Sequence, residues 1–390
     1  MSKPRTLLHV FSTFNVGGPQ IRFAQLANHF GPLYRHRIVA MDGATAAMAR
    51  LGSGLDAELI EVPVHKGGTV KNLGAFRRVL SRVRPDLLVT SNWGTIEWAM
   101  ANLDHRTPHL HMEDGFGPEE AQRQLPRRVW TRRLVLPGST VLLPSRTLLR
   151  IATEVWKLPR RNLIYVPNGI DCARFAHAPD QTLASRFGIR NYVPVIGSIG
   201  GLRAEKNLLR LLSAFAIVLR SRPAQLVIVG NGPLAEELKS AAEARGLSDN
   251  VVFTGASSVP ERLLALFWVY ALSSDTEQMP LSVLEAMAGG RAIASTDVGD
   301  VRAMVSEENR PFVVEPNAER LAGAILELIE DPARAASIGN ANRERAFAKY
   351  DQSRMFAAYR RLFDGDLTGQ DGAEGIAEPG PGNANIKKVS

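Results

Sequence analysis

Short apolar runs of about four to seven residues recur along the chain, each followed by a stretch in which apolar positions return every three or four residues. Runs of that length fit strands buried on both faces, and the second pattern fits amphipathic helices. The alternation therefore predicts parallel sheets joined by crossover helices. In the first half the expected strands are Thr6–Phe11, His36–Ala40, Leu59–Val62, Asp86–Thr90, His109–Met112, Val141–Leu143 and Leu163–Val166. The turn Pro167-Asn168-Gly169 closes this set, and the less patterned Asp171–Asn191 reads as a linker. A second set follows at Val195–Ile199, Gln225–Val229, Val251–Thr254, Val269–Leu272, Ala292–Ser295 and Phe312–Val314. Helices such as Glu205–Arg220 and Leu234–Arg245 fill the gaps. From about Asn317 to Phe363 the pattern is helical, broken near Asp331-Pro332 and again near Asp351. Beyond Asp364 come six glycines, two prolines and almost no large apolar groups, which predicts a disordered tail.

Two doubly wound α/β domains facing each other across a cleft, with ligands at the carboxyl ends of both sheets, is the architecture this implies. A chain of 390 residues, 45% hydrophobic, has ample material for two cores. The longest apolar run, Leu263–Leu272, is far short of the roughly 20 residues that span a bilayer. The N-terminal apolar run reads as a first strand rather than a secretion signal, and the lone Cys172 allows no internal disulfide. A cytoplasmic protein is expected.

Charge divides the halves. Residues 1–175 hold 24 Lys and Arg against 13 Asp and Glu, while the remainder holds 23 against 26, which together give the net +8. Only the first half is thus suited to an anionic surface. With no zinc-ligand spacing, RNA-binding aromatic signature or helix-turn-helix pattern, nucleic acid is not expected as a partner. Membrane phosphates or a phosphate-bearing substrate account for the asymmetry as well. Within this half, Arg127, Arg128, Arg132 and Arg133 surround Val129 and Trp130, a pattern that suits a helix on an anionic membrane, or equally one packed by Val129, Trp130 and Leu134 with its arginines in water.

Four segments carry candidate chemistry. In Ser273–Gly290 a strand ends, a polar loop follows, Pro280 suits the first turn of a helix and Gly289-Gly290 ends it. The amides of Met279, Leu281 and Ser282 would then face a phosphate. Glu277 and Glu285 flank that site; carboxylates beside an anion suit the hydroxyls of a sugar, though the spacing fits equally a solvated acid before the helix and an ordinary helical glutamate. The second segment, Ile199–Asn207, brings Arg203 and Lys206 to a strand-to-helix passage, where they either neutralise a diphosphate or, as is commoner for basic residues at a helix start, stand in solvent. The third is Gly17-Gly18 ahead of the first helix, Pro19–Phe30, where small residues admit a ligand or simply make a tight turn. In the fourth, His109, His111 and Glu113 share one strand face. Two histidines and an acid suit a metal, but packing plus one crevice-lining acid, Glu113 or Asp114, is favoured, so no metal site is assigned.

Two patterns are decoys. Gly230-Asn231-Gly232-Pro233-Leu234-Ala235 matches a dinucleotide fingerprint, yet the next strand closes Phe253-Thr254-Gly255 without the expected acid. Asp364-Gly365-Asp366 resembles a metal-nucleotide motif but opens the tail instead of following a core strand.

Taken in order, Ile199–Asn207, Leu226–Pro233, Val252–Gly255, the Glu277/Glu285 pair and Thr296–Val305 resemble the retaining glycosyltransferases of family 4. Pro167–Asp171 is similar to that family's signature at the end of the first domain. The resemblance, over about residues 6–363, implies a GT-B fold of two Rossmann-like domains. Residues 1–171 would form the acceptor-side domain, 172–192 the linker, 193–349 the nucleotide-sugar domain, 350–364 a helix crossing back and 365–390 the tail. It implies a nucleotide-diphosphate sugar as donor, a glycan or lipid-linked acceptor in cell-surface polysaccharide or glycolipid synthesis, and neither cofactor nor metal. Such an enzyme would work in the cytoplasm, peripherally at the inner face of the membrane.

Glu277 would hold hydroxyls of the transferred sugar, Glu285 the ribose, and Arg203 with Lys206 the diphosphate. Two positions depart from the family pattern. Gly201 stands where arginine is common, leaving Arg203 as its substitute, and Asp114 stands where a histidine is common. A same-fold sugar-nucleotide epimerase and a non-catalytic binding partner in glycan assembly remain as alternatives.

Overall fold

The structure, a computed structural model, describes residues 3–116, 120 and 123–368. Most of the expected tail lies outside the described residues. The chain divides into two compact units, one built from residues 3–166 with 356–368 and the other from Pro167–Met355.

In the first unit seven parallel strands are β1 (Arg5–Phe11), β2 (Tyr34–Ala40), β3 (Ala57–Leu59), β4 (Leu87–Ser91), β5 (His109–Met112), β6 (Thr140–Leu143) and β7 (Leu163–Tyr165). They lie in the order β3-β2-β1-β4-β5-β6-β7. The third strand sits two residues earlier than its apolar run suggests. Pairing with β2 begins at His36↔Ala57 and ends at Ile38↔Leu59, and only the Ile60 amide continues the ladder.

The second unit holds β8 (Val195–Ile199), β9 (Gln225–Val229), β10 (Val251–Gly255), β11 (Val269–Leu272), β12 (Ala292–Thr296) and β13 (Val313–Val314). All are parallel, in the order β10-β9-β8-β11-β12-β13. Alternate residues enter opposite cores: Val227, Val229 and Tyr270 on one face, Leu226, Ile228 and Val269 on the other. Both faces are covered, as the unbroken apolar strands require.

The stretch expected as a linker, 172–192, is packed into this unit. Cys172, Phe175, Leu183, Ala184 and Ile189 join its core, and Asp180 caps the short helix Gln181–Arg186. A helix of six residues is too short to declare itself by periodicity. A second correction concerns the helix after β8, which starts at Leu208 behind an Asn207 cap, with a 3₁₀ turn over Ala204–Lys206. Arg203 and Lys206 therefore belong to the loop. Asn207 adopts φ 41°, and its Oδ1 accepts from the Arg210 amide. That cap begins the helix later than the hydrophobic pattern does.

The C-terminal helices run Ala318–Glu330, Pro332–Tyr350 and Gln352–Phe363. The last completes the first unit's core. The ring of Phe363 lies 5.5 Å from that of Tyr34, 5.9 Å from His9 and 6.0 Å from Phe30. The Tyr34 hydroxyl donates to Asp364 at 2.7 Å, and Thr140 donates to the Leu367 carbonyl at 2.8 Å.

Phe363 is buried whereas Phe347, on the preceding helix, is 40% exposed. Phe363→Ala should cost the first unit about 3–5 kcal/mol, and Phe347→Ala under about 1 kcal/mol. Four of the five tryptophans lie in the first unit, so urea unfolding followed by tryptophan fluorescence reads the difference. Equal midpoints for the two variants would show that the last helix is not part of that core.

Candidate functional site

The strand order of the second unit reverses between β8 and β11: the chain leaves β8 toward β9 and β11 toward β12, on opposite sides. Loops that diverge in this way open a crevice at the strands' carboxyl ends, where ligands of such sheets bind. The crevice is lined by Ser198–Leu202, Lys206, Val229 and Leu272–Ser274. Gly230 and Gly232 of the dinucleotide-like pattern let the β9 loop press against the β8 loop. A Cβ on Gly230 would overlap the Gly200 carbonyl, and one on Gly232 the backbone of Leu202. Close packing accounts for these glycines.

Lys206 and Glu277 meet across the crevice, with Nζ 2.6 Å from Oε1. The same Oε1 accepts from the Ser274 hydroxyl at 2.7 Å. The loops that carry them are stitched together: the Asp275 amide donates to the Glu205 carbonyl at 2.9 Å, and Ser273 Oγ to the Lys206 carbonyl at 2.9 Å. Arg210 adds bonds to Asp275 at 2.6 Å and to the Ser273 carbonyl at 2.7 Å, and Asn207 donates to both Asp275 oxygens. Ser274, Asp275 and Arg210 escape a reading of the sequence. The serine three residues before Glu277 is the available hint, since such spacing lets a hydroxyl reach a carboxylate.

The helix after this loop runs Leu281–Ala288, so Pro280 is its cap and not part of its first turn. As in any α-helix the amides of Leu281 and Ser282 have no intrahelical acceptor. Met279 is buried, with its sulfur 3.3 Å from the Asn168 amide. Glu285 lies on the same helix, where burial lifts its carboxyl to about 7, eased by Arg174 and reinforced by Glu261. Arg203 is not drawn in. It is 59% exposed and pairs with its neighbour Glu205 at 3.0 Å.

In the first unit the reversal falls between β1 and β4. Gly17 caps the helix Gly18–Phe30, and a Cβ on Gly18 would meet nothing within 4 Å. Asp114, beyond β5, is held from two sides. Arg22 grips both of its oxygens at 2.6 and 2.8 Å, and its amide donates to Asn92 at 2.7 Å. No local pattern links Arg22 to a residue 92 positions away.

The histidine face of β5 is packing. His109 and His111 each lie 2.8 Å from the Thr90 hydroxyl. Glu113 is buried and bonded to Arg132 at 3.0 Å, so it does not line a crevice. Among the described residues no group of three or more metal-ligating side chains is assembled.

The arginine cluster is likewise divided. Arg128 pairs with Glu120 at 2.8 Å, and the Arg132 guanidinium is enclosed by Trp93, Phe116 and Trp156. Both are buried, against the expectation of four arginines on a surface. Buried carboxylates, distant in the pattern, drew them inward. Trp130 and Leu134 remain outside, 59% and 74% exposed. No helix among the described residues is long and apolar enough to cross a membrane.

Comparison with known proteins agrees in both halves. Residues 17–169 match the glycosyl transferase 4-like domain, and residues 181–345 match glycosyl transferases group 1. A GDP-mannose-dependent alpha-(1-6)-phosphatidylinositol monomannoside mannosyltransferase of Mycobacterium tuberculosis is 30% identical over 222 residues, 53% of this chain and 57% of that protein. The monoacylated-substrate counterpart in Corynebacterium glutamicum is 28% identical over 270 residues, 66% and 68% of the two chains. The chain thus spans little more than half the length of the mycobacterial relative. Among solved structures, a glycosyltransferase from Rickettsia africae superposes with a TM-score of 0.78 at 17% identity, over 94% of this chain and 99% of that one. Anabaena HepE in complex with UDP and glucose gives 0.79 at 18%, over 92% and 99%. At that identity the likeness concerns fold. With both halves matched in order and both sheets doubly wound, the chain belongs to the family 4 glycosyltransferases of the two-domain GT-B fold.

Proposed function

We propose that the protein is a retaining glycosyltransferase that moves a sugar from a nucleotide-diphosphate sugar to a glycan or lipid-linked acceptor. The observation that carries this reading is the Lys206–Glu277 pair, a cation and a carboxylate meeting at the reversal of the second sheet, one strand-loop ahead of a helix N-terminus. On this reading Lys206 holds the diphosphate, helped by the amides of Met279, Leu281 and Ser282. Glu277 accepts from hydroxyls of the transferred sugar, and Glu285 from the ribose. Arg203 can join only by leaving Glu205, so it contributes less. Gly17 and Gly18 leave room beside the first helix for the donor. The names of relatives, among them a phosphatidylinositol monomannoside mannosyltransferase and an alpha-monoglucosyldiacylglycerol synthase, support a lipid-linked acceptor.

As the bond to the diphosphate breaks, negative charge grows on the leaving oxygen and the sugar becomes oxocarbenium-like. Fixed cationic and amide partners stabilise the first, and the Glu277 carboxylate the second. The acceptor hydroxyl attacks from the side the phosphate leaves, which takes up its proton. Asp114, held still by Arg22, retains lone pairs to orient that hydroxyl. On this reading Lys206 and the helix amides take the place of a metal, so none is required.

Glu277→Gln keeps the shape but removes the charge, and transfer should fall roughly a hundredfold or more. The parent should transfer at an unchanged rate in excess chelator. Radiolabelled-sugar transfer assays read both. Near-parental turnover by the variant removes Glu277 from the mechanism, and loss of parental activity on chelation, restored by magnesium or manganese, removes the metal-free one.

Glu285→Gln should stabilise the free protein while weakening donor binding. The carboxyl is raised to about 7, so between its unfolded value near 4.5 and pH 7 the folded state holds the extra proton. Stability therefore falls as pH rises through that window. The variant should gain on the order of 2 kcal/mol at pH 8, after discounting for partial exposure, and nothing below pH 4.5. Thermal unfolding at about pH 8 and about pH 4 checks the sign. Equal melting temperatures at the higher pH would show that the carboxylate is not held at a cost.

The exposed Arg127, Trp130 and Leu134 fit an anionic membrane surface, each basic residue contributing about 1 kcal/mol. The protein should sediment with anionic vesicles at low salt, not with neutral ones, and Trp130→Ala with Leu134→Ala should reduce the bound fraction. Parent protein left in the supernatant with anionic vesicles at low salt ends this part of the proposal.

A further inference from the structure

The Lys206–Glu277 contact joins two groups that act on different parts of the donor in the proposed reaction, and their pairing takes its meaning from that reaction. Oε1 of Glu277 has two donors, Lys206 Nζ at 2.6 Å and Ser274 Oγ at 2.7 Å. Both charged side chains are largely withdrawn from water, 20% and 11% exposed. The stitching of the two loops keeps them within reach of each other. A ligand that takes Lys206 alone leaves a partly buried carboxylate without its cation and beside new negative charge, which is unfavourable. A free nucleoside diphosphate is such a ligand. A nucleotide sugar differs, because it offers phosphate to Lys206 and hydroxyl donors to the carboxylate that the lysine has left.

Resting on the glycosyltransferase reading, we infer that the Lys206–Glu277 pair discriminates between donor and product, disfavouring the free nucleoside diphosphate relative to the intact nucleotide sugar. Once the sugar departs, Glu277 regains its claim on Lys206 and the diphosphate is displaced. Glu277 thus acts twice, on the sugar during transfer and against the leaving group afterwards.

Such discrimination makes a counterintuitive demand: removing an acidic residue that holds the donor must tighten binding of the product. Isothermal titration of the parent, Glu277→Gln, Lys206→Met and the double variant would use UDP, GDP, ADP and dTDP, each with its glucose or mannose ester. The parent should prefer an ester over its diphosphate. Glu277→Gln should bind that diphosphate roughly tenfold more tightly than the parent, the scale of one relieved charge in a partly buried site. The gain should be absent when Lys206 is already methionine, since it operates through the lysine. Should the glutamine variant fold poorly, Glu277→Ala removes the same competitor and should show the same gain. Unchanged or weaker diphosphate binding by these variants overturns the inference. So does a gain that persists beside Lys206→Met, which would mean direct repulsion by Glu277. A parent that binds none of these ligands instead overturns the glycosyltransferase reading, and the inference with it.

Discussion

A doubly wound sheet has one place where consecutive crossovers turn opposite ways, and there the two departing loops cannot cover the strand ends between them. Most of the distinctive features of this chain arise from that geometric constraint. In the second unit it sets the loop after β8 beside the loop after β11, so residues 71 positions apart in sequence, Lys206 and Glu277, share a hydrogen bond. In the first unit the same reversal separates the Gly17-Gly18 loop from the segment after β4, where Asn92 anchors the Asp114 amide. Side chains at such an opening must be held from behind. Arg210 and Asn207 fulfil that need on one sheet, Arg22 on the other.

Charge burial explains the rest of the first unit's chemistry. Glu113, Glu120, Arg128 and Arg132 lie inside, paired with one another and, for the arginines, set against aromatic rings. A buried ion missing its partner is strongly destabilising, whereas the intact pair contributes little net stability. The cluster thus ties Glu113 and Glu120 to Arg128 and Arg132 of the helix Pro126–Val135 more than it strengthens the fold. It also lowers the number of arginines that the basic half can offer to any outside surface.

Strands are the most legible part of the sequence, because a strand buried on both faces of a sheet leaves a largely apolar run; β8, β9 and β11 have the bounds their runs predict, and so does β5, although two histidines interrupt its run. Breaks at Asp331, just ahead of Pro332, and at Asp351 are equally plain. Helix starts are not, since the Asn207 cap and the 3₁₀ turn before it interrupt no apolar spacing. Segment 172–192 misleads because five scattered apolar residues that pack into a core carry no period. At the site, Glu277, Glu285 and Lys206 are legible through motif order. Ser274, Arg210 and Arg22 matter only through distance in space, and Arg203 points elsewhere because an acid two residues on satisfies it.

The last helix has a consequence for how the molecule is made. The first unit's core needs Phe356, Tyr359, Leu362 and Phe363, yet about 190 residues of the other unit intervene after its seventh strand. On a ribosome adding roughly 5–20 residues per second, the seven-stranded sheet waits on the order of 10–40 seconds for the aromatic residues that seal it. Throughout that interval His9, Phe30 and Tyr34 lack their covering rings. The half of the protein that is born first is thus the half that closes last, and it must be kept from sticking to other chains in the meantime.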